Sequence, residues 1–215
     1  MSVDIIKYRR NVTMDLINNN KTRILNKMQR SGILRSRELD SLGIPRGYLR
    51  LLCTEGAIKR IGRGLYTLAK TEMSEAYQYA EVAKRIPHGV VCLISALQYH
   101  QLTTQIASVV WIAIDSKARL PKDASSPVKI VRFSGVALTE GVEVKRIDKV
   151  RVQIFCPAKT VADCFKYRNK IGLDVAMEAL RDCWKQRLAT MDELWRYAKI
   201  CRVANVMRPY LESLV

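Results

Sequence analysis

The chain has 215 residues, 48% of them apolar and 27% charged, and a formal net charge of +17 at pH 7. This composition is that of a globular protein and excludes an intrinsically disordered chain. The longest apolar runs, Val90–Ile94 and Val109–Ile114, are too short to span a bilayer, so we expect no contact with a membrane. Residues 1–20 contain no apolar stretch of the signal-peptide kind, and we therefore predict a cytoplasmic protein.

The positive charge is concentrated in the first third of the chain. Residues 1–70 hold 15 Lys and Arg against 5 Asp and Glu, whereas residues 71–215 hold 22 against 15. Such an imbalance predicts a polyanionic partner, nucleic acid in the first place. An acidic protein partner is the alternative.

The six cysteines include no Cys-x-x-Cys pair, and the two histidines are not spaced with them as zinc ligands. We therefore predict reduced thiols, no metal site and no cofactor. No glycine-rich loop of the phosphate-binding kind is present either, which argues against nucleotide hydrolysis.

The first predicted helix covers residues 13–29, whose apolar residues make a rough stripe at helical spacing. The stripe consists of Met14, Ile17, Ile24, Leu25 and Met28. A short helix is predicted next, capped by the Ser36 hydroxyl and ended by Gly43. Pro45 is expected in the first turn of a further helix, which stops at Gly56. The pattern predicts a helix-turn-helix.

The second helix of this pair has two predicted faces. The inward face follows apolar spacing and consists of Leu49, Leu52 and Cys53. The outward face has a spacing of four and consists of Arg46, Arg50 and Thr54. The side of the helix that is free to meet a ligand is therefore basic.

Two short strands are predicted after this helix, over residues 58–61 and 65–68, with Gly62-Arg63-Gly64 as the turn. Together the elements predict a winged helix-turn-helix, which places its second helix in the DNA major groove. A protein-docking role for the same module is the alternative.

The predicted DNA contacts divide into two groups. Arg46 and Arg50 are the expected base readers, with Gly47 permitting close approach to a phosphate backbone and Tyr48 and Thr54 beside them. Expected contacts to phosphates or the minor groove come from Arg37, Lys59, Arg60 and Arg63.

A polar junction, Lys70-Thr71-Glu72, leads into a second region. Its predicted helices end at Ile86 and His100, with Pro87-His88-Gly89 between them. Its predicted strands are Val109–Ile114, Val128–Phe133, Val142–Ile147 and Val150–Cys156, with an exposed loop over Ser116–Pro127.

From Pro157 onward the chain is predicted to be helical, with a capping box at Thr190–Glu193 and a break at Pro209 before a last short helix. We predict an α+β protein with a winged domain over 1–70 and an α+β domain with a small sheet over 71–215.

Two constellations in the second region suggest enzymes. Asp115, followed by Glu143-x-Lys145 on a later strand, has the order of a PD-(D/E)xK nuclease, whose carboxylates hold Mg²⁺. Alternating charge on an exposed edge strand explains Glu-x-Lys more simply. Ser95 and His100 lack both a third partner and a Gly-x-Ser-x-Gly elbow, so a hydrolase is not predicted.

A basic cluster in the second region is predicted as a further polyanion surface, with a solvated strand face as the alternative. Its members are Lys129, Arg132, Lys145, Arg146, Lys149 and Arg151.

Several motifs give the chain a resemblance to a known family. In the first region they are Ser36-Arg37-Glu38-Leu39, Leu42-Gly43-Ile44 and Ile61-Gly62-Arg63-Gly64-Leu65-Tyr66. In the second they are Cys92–Leu97, His100, Leu102-Thr103, Val110–Ala113 and Pro157–Asp163. With these motifs in this order, the chain resembles the AbiEi antitoxins, the transcription-regulator half of AbiE-type toxin–antitoxin pairs.

The resemblance implies a repressor that binds inverted repeats of double-stranded DNA in its own promoter. It also implies an antitoxin domain over residues 71–215 that antagonises a nucleotidyltransferase-type toxin without a stable complex, in abortive phage infection. The basic cluster of the second region is then a candidate antitoxin surface. The alternatives are a single-role regulator with a ligand-binding or dimerising C-terminal domain and, less favoured, the nuclease.

Overall fold

The computed structural model describes residues 2–119 and 127–214, with side chains from residue 15 onward. Its mixture of helices and strands confirms the predicted α+β class. The chain folds into two compact units. The first comprises the chain up to Glu75 together with Asp148–Val150, and the second comprises Ala76–Ile147 and the chain from Arg151 onward. Most of the predicted loop at 116–127 lies outside the described residues.

The first unit begins with a long helix and ends with a hairpin. Its elements are α1 (Ser2–Ser31), β1 (Leu34–Arg35), a 3-10 helix (Ser36–Leu42), α2 (Gly47–Thr54), β2 (Ile58–Gly62) and β3 (Leu65–Leu68). The three strands form an antiparallel sheet in the order β1-β3-β2. The predicted start of the first helix at residue 13 is wrong, because apolar periodicity reports where a helix packs and not where it begins.

The core of the first unit forms where α1, the 3-10 helix and α2 meet the sheet. Its fully buried members are Ile24, Met28, Leu34, Leu39, Ile44, Leu49, Leu52 and Ile58. Gly43 ends the 3-10 helix with a φ of 65°, and the following Ile44 N–H donates to the Leu39 carbonyl at 3.1 Å. Gly56 follows Glu55, the C-cap of α2, and has a φ of +68°. Both glycine stops are as predicted, since this region of φ favours glycine.

Two predicted details at the helix starts are wrong. Arg35, not Ser36, is the N-cap of the 3-10 helix, because pairing of Arg35 with Leu65 in the sheet holds Arg35 extended. Pro45 precedes Arg46, the N-cap of α2, and accepts a hydrogen bond from the Tyr48 N–H at 3.2 Å. Pro45 therefore lies in the connection between the two helices and not in the first turn of α2.

The second unit contains a five-stranded mixed sheet in the order β6-β5-β4-β8-β7. Its strands are β4 (Val90–Val91), β5 (Val110–Asp115), β6 (Val128–Phe133), β7 (Val142–Ile147) and β8 (Val150–Phe155). β5 runs parallel to β6 and antiparallel to β4, which in turn runs parallel to β8. The four predicted strands are confirmed, whereas the central two-residue strand β4 was not predicted.

Helices complete the second unit. They are α3 (Tyr77–Arg85), α4 (Leu93–Tyr99), α5 (Val136–Thr139), α6 (Pro157–Lys166), α7 (Arg168–Ile171), α8 (Leu173–Lys185), α9 (Met191–Ile200) and α10 (Ala204–Glu212). The predicted break at Pro209 is wrong, because Pro209 lies inside α10. Pro209 and Asn205, whose carbonyl lacks a helical partner there, are both exposed, so water can replace the missing N–H.

The predicted capping box at the start of α9 is confirmed. The Glu193 N–H donates to Thr190 Oγ1 at 3.2 Å, and the Thr190 N–H donates to Glu193 Oε2 at 2.8 Å. We expect Thr190→Ala to lower the free energy of unfolding by about 0.5–2 kcal/mol, because one helical N–H loses its acceptor. Urea unfolding measures the change, and a loss close to zero would show that the cap adds no stability.

Candidate nucleic-acid interface

Helix α2 presents the two faces that its spacing predicts. Leu49 and Leu52 are buried in the core, and Cys53 is half-buried beside them. Arg46, Arg50 and Thr54 are all exposed. The outward side of this helix therefore carries two guanidinium groups.

Arg46 forms an ion pair across the turn between the two helices. Its Nε donates to Asp40 Oδ1 at 3.0 Å, and its Nη2 donates to Asp40 Oδ2 at 2.5 Å. These hydrogen bonds lower the pKa of Asp40 and raise that of Arg46. Sequence reasoning missed Asp40, although the signal was present: an acidic residue stands shortly before the turn glycine and a basic residue shortly after it.

Gly47 and Tyr48 occupy the first turn of α2. A Cβ atom added to Gly47 would meet no atom of the described residues within 4 Å, so the space outside this backbone is open. Tyr48 is half-buried, and its hydroxyl accepts a hydrogen bond from Asn20 Nδ2 at 3.3 Å. Gly47 thus fits close approach of an external group, whereas Tyr48 links α2 to α1.

The hairpin of β2 and β3 carries three exposed basic residues, Lys59, Arg60 and Arg63. The Lys59 ammonium donates to the Thr71 carbonyl at 3.1 Å, and Arg60 Nε donates to the Gly62 carbonyl at 3.1 Å. Arg63 lies in the predicted turn, and the register of the two strands shifts between Arg60 and Gly62. Arg37 is exposed on the 3-10 helix.

The predicted basic cluster of the second region is not one surface, because the order of the sheet separates its members. Lys129 and Arg132 lie on the edge strand β6, whereas Lys145 and Arg146 lie on the opposite edge strand β7 and Arg151 on β8. Lys149 belongs to the first unit, where its ammonium donates to the Gln29 carbonyl at 2.9 Å.

Several of these cations also have partners within the protein. The Arg132 guanidinium donates to the carbonyls of Asp115, Ser116 and Ala118 at 2.7–3.1 Å. The Lys129 ammonium lies 4.0 Å from the centre of the Trp111 ring. Lys145 pairs with Glu143 at 2.6 Å. Arg146 and Arg151 are exposed and remain the best candidates for a polyanion-binding surface on the second unit.

The structure does not assemble the nuclease constellation. Asp115 lies on β5, and Glu143 and Lys145 lie on β7, with β4 and β8 between these strands. Glu143 and Lys145 instead pair with each other on an edge strand, which is the simpler of the two interpretations.

Ser95 and His100 also have structural roles. Ser95 is buried, and its Oγ accepts a hydrogen bond from the Trp111 N–H at 2.9 Å. His100 is the C-cap of α4, and its Nε2 lies 2.8 Å from the Phe155 carbonyl oxygen. Burial lowers the pKa of His100.

Within residues 2–119 and 127–214, no group of three His, Cys, Asp or Glu side chains is arranged to hold a metal ion. None of the described helices is both long and apolar enough to cross a bilayer. All six cysteines are free, and four of them are buried.

In a comparison with protein families, the sequence model of a family described as a transcriptional regulator and AbiEi antitoxin matches residues 23–69. These residues, called the AbiEi segment below, are similar to that family. The match confirms the predicted resemblance and supports a role as a transcriptional regulator or antitoxin. The AbiEi segment contains the 3-10 helix, α2 and the complete hairpin, and therefore every predicted DNA contact.

Comparison with solved structures gives information on the fold beyond the AbiEi segment. The chain is similar to the crystal structure of the RV2827C protein from Mycobacterium tuberculosis, with a TM-score of 0.56 and 14% sequence identity. The similarity covers 84% of this chain and 71% of the other. At this identity it indicates a shared fold only. No curated protein matches the chain.

Proposed function

We propose that the chain is a winged helix-turn-helix repressor of its own operon and also an antitoxin. The observation that carries the DNA-binding part is the placement of the basic residues within the AbiEi segment. Arg46 and Arg50 are exposed on one side of α2, and the hairpin that follows adds three more exposed cations. This is the arrangement that a winged helix needs to read the major groove and hold the flanking phosphates.

The reading of bases is assigned to α2 and the holding of phosphates to its neighbours. Arg50 is the sharpest candidate base reader, because it is exposed and an arginine can donate to two acceptors of guanine at once. Arg37, Lys59, Arg60 and Arg63 supply charge around it. Gly47 lets a phosphate approach the start of α2, because no side chain occupies the open space outside its backbone.

The antitoxin part of the proposal rests on the family description of residues 23–69. We assign the activity to the second unit, with a nucleotidyltransferase-type toxin as the functional partner and abortive phage infection as the setting. A stable complex between the two proteins is not required by this proposal. The cytoplasm is the proposed compartment, in keeping with free cysteines throughout.

Two assays in cells test the two roles separately. A reporter gene under the DNA upstream of the protein's own gene should be repressed by the full chain. Co-expression with the product of the adjacent gene should restore growth if that product is the toxin. Repression without any rescue would support the single-role regulator and contradict the antitoxin assignment.

The hairpin provides a prediction about sequence-independent binding. We expect Arg63→Ala to weaken binding to operator and random duplexes by similar factors, because a phosphate contact carries no sequence information. The slope of log K against log salt should become shallower by about 0.9. Fluorescence anisotropy over a salt series measures both. A loss confined to the operator would show that Arg63 reads bases.

A further inference from the structure

The Asp40–Arg46 pair joins the two helices of the motif through a rigid turn. Asp40 belongs to the 3-10 helix and Arg46 caps α2. Between them, Gly43 adopts a left-handed conformation and Ile44 is 3% exposed. The backbone that carries both side chains is therefore fixed by the core of the first unit.

The two hydrogen bonds use one particular edge of the guanidinium group. Asp40 accepts from Nε and from Nη2, which together form the side of the fork. An arginine has five N–H donors, so three remain, and those on Nη1 and Nη2 at the outer end point in parallel. That end has the geometry that matches the O6 and N7 acceptors of guanine.

We infer that Asp40 is a positioning residue that holds Arg46 as a guanine reader in the major groove. The inference rests on the proposed DNA-binding function and adds to it a base preference and the residue that sets it. A long arginine side chain loses rotamer freedom when it binds, and a carboxylate already bonded to one edge removes much of that freedom beforehand.

If Asp40 acted through its charge alone, its removal would have a different effect from the one that the positioning role predicts. A carboxylate on a DNA-facing surface repels phosphates, so removing it should strengthen binding to any sequence. The positioning role predicts instead that its removal costs discrimination between base pairs. These two expectations separate in one experiment.

The chain offers a matched control in a second acidic residue of the same unit. Glu55 follows the last residue of α2 and pairs with Lys21 at 2.5 Å. Glu55→Gln and Asp40→Asn each remove one negative charge and keep the size of the side chain. Only Asp40→Asn alters the partner of Arg46.

The experiment selects bound sequences from a randomised DNA duplex library with the full-length chain. The wild type should enrich a site with a guanine whose replacement by adenine weakens binding by about 5-fold to 150-fold. Arg46→Ala and Asp40→Asn should both lose most of this preference at the same base pair. Glu55→Gln should keep it, while both charge-removing variants bind random duplex slightly more tightly.

Three results would overturn the inference. The first is Asp40→Asn with unchanged discrimination at every position. The second is an Asp40→Asn variant that keeps its base preference and binds all sequences much more tightly than Glu55→Gln does. Asp40 would then act only by repelling phosphates. The third is a wild-type chain that binds no duplex at low salt. That result would contradict the proposed function itself, and the other two would leave it standing.

Discussion

Asp163→Ala is expected to lower the free energy of unfolding of the second unit by about 3–5 kcal/mol. Asp163 and Lys159 lie one turn apart on α6, both with fully buried side chains, and their ion pair measures 2.5 Å. Around the Lys159 ammonium, the ring centres of Phe155 and Phe133 lie at 4.1 and 5.0 Å. Removal of the carboxylate would leave an uncompensated charge in the core.

Other groups around the pair fix the same carboxylate. The Cys201 thiol donates to Asp163 Oδ1 at 3.2 Å, which connects α6 to the end of α9. Burial raises the pKa of Asp163, and the Lys159 ammonium opposes that rise. The intact pair therefore adds little to the free energy of unfolding, whereas removal of one partner lowers that free energy strongly.

A double variant and a control variant distinguish the effect of an unpaired buried charge from the effect of lost packing. In Lys159→Met/Asp163→Leu both charges disappear together, so most of the stability lost in Asp163→Ala should return. Glu140→Ala is the matched control, because it breaks the exposed Arg196–Glu140 pair and should cost no more than about 1 kcal/mol. Trp111, Trp184 and Trp195 all lie in the second unit, so tryptophan fluorescence in urea reports on it.

A loss below about 1 kcal/mol in Asp163→Ala would contradict this account of the pair. The double variant has a further use, because it tests whether Asp163 acts in protection against the toxin directly. If the double variant is stable and still rescues growth, Lys159 and Asp163 have a structural role in the Pro157–Asp163 motif and do not act on the toxin.

The second large effect is expected on α2. Arg46→Ala/Arg50→Ala should weaken operator binding by roughly 30-fold to 10⁴-fold, because each bidentate base contact contributes about 1–3 kcal/mol. Both side chains are exposed, so the fold should be retained. When the gene is expressed from a foreign promoter, the same variant should still rescue cells from the toxin, because the second unit is unchanged.

The matched control removes the same charge at the same spacing from the second unit. Arg181 and Lys185 are exposed and four residues apart on α8, as Arg46 and Arg50 are at the start of α2. Arg181→Ala/Lys185→Ala should leave operator binding almost unchanged. Equal losses in the two double variants would show that overall charge, and not the face of α2, determines binding.

Local patterns predicted the elements that have their own signals. Alternating or continuous apolar runs gave four strands of the second sheet, and the Thr190 capping box gave the start of α9. Strand β4 has only Val90 and Val91, too short a run to show a period. Its place at the centre of the sheet depends on partners distant in sequence, which local patterns do not contain.

The candidate site shows the same limit. The exposed side of α2 followed from helical spacing, whereas the Asp40–Arg46 pair depends on how Gly43 and Ile44 turn the chain. The predicted basic cluster is not formed for a related reason, because β6 and β7 are close in sequence but lie at opposite edges of the sheet. Spacing predicts faces within one element, and contacts between elements require the fold.

Salt-dependent binding of the full-length chain to the duplex upstream of its own gene tests the central claim most directly. Four phosphate contacts, from Arg37, Lys59, Arg60 and Arg63, predict a slope of log K against log salt of about −3.6 per chain. Affinity should therefore fall roughly 100-fold between 50 and 200 mM salt. An affinity that does not change with salt, or no binding at the lowest salt, would contradict the account.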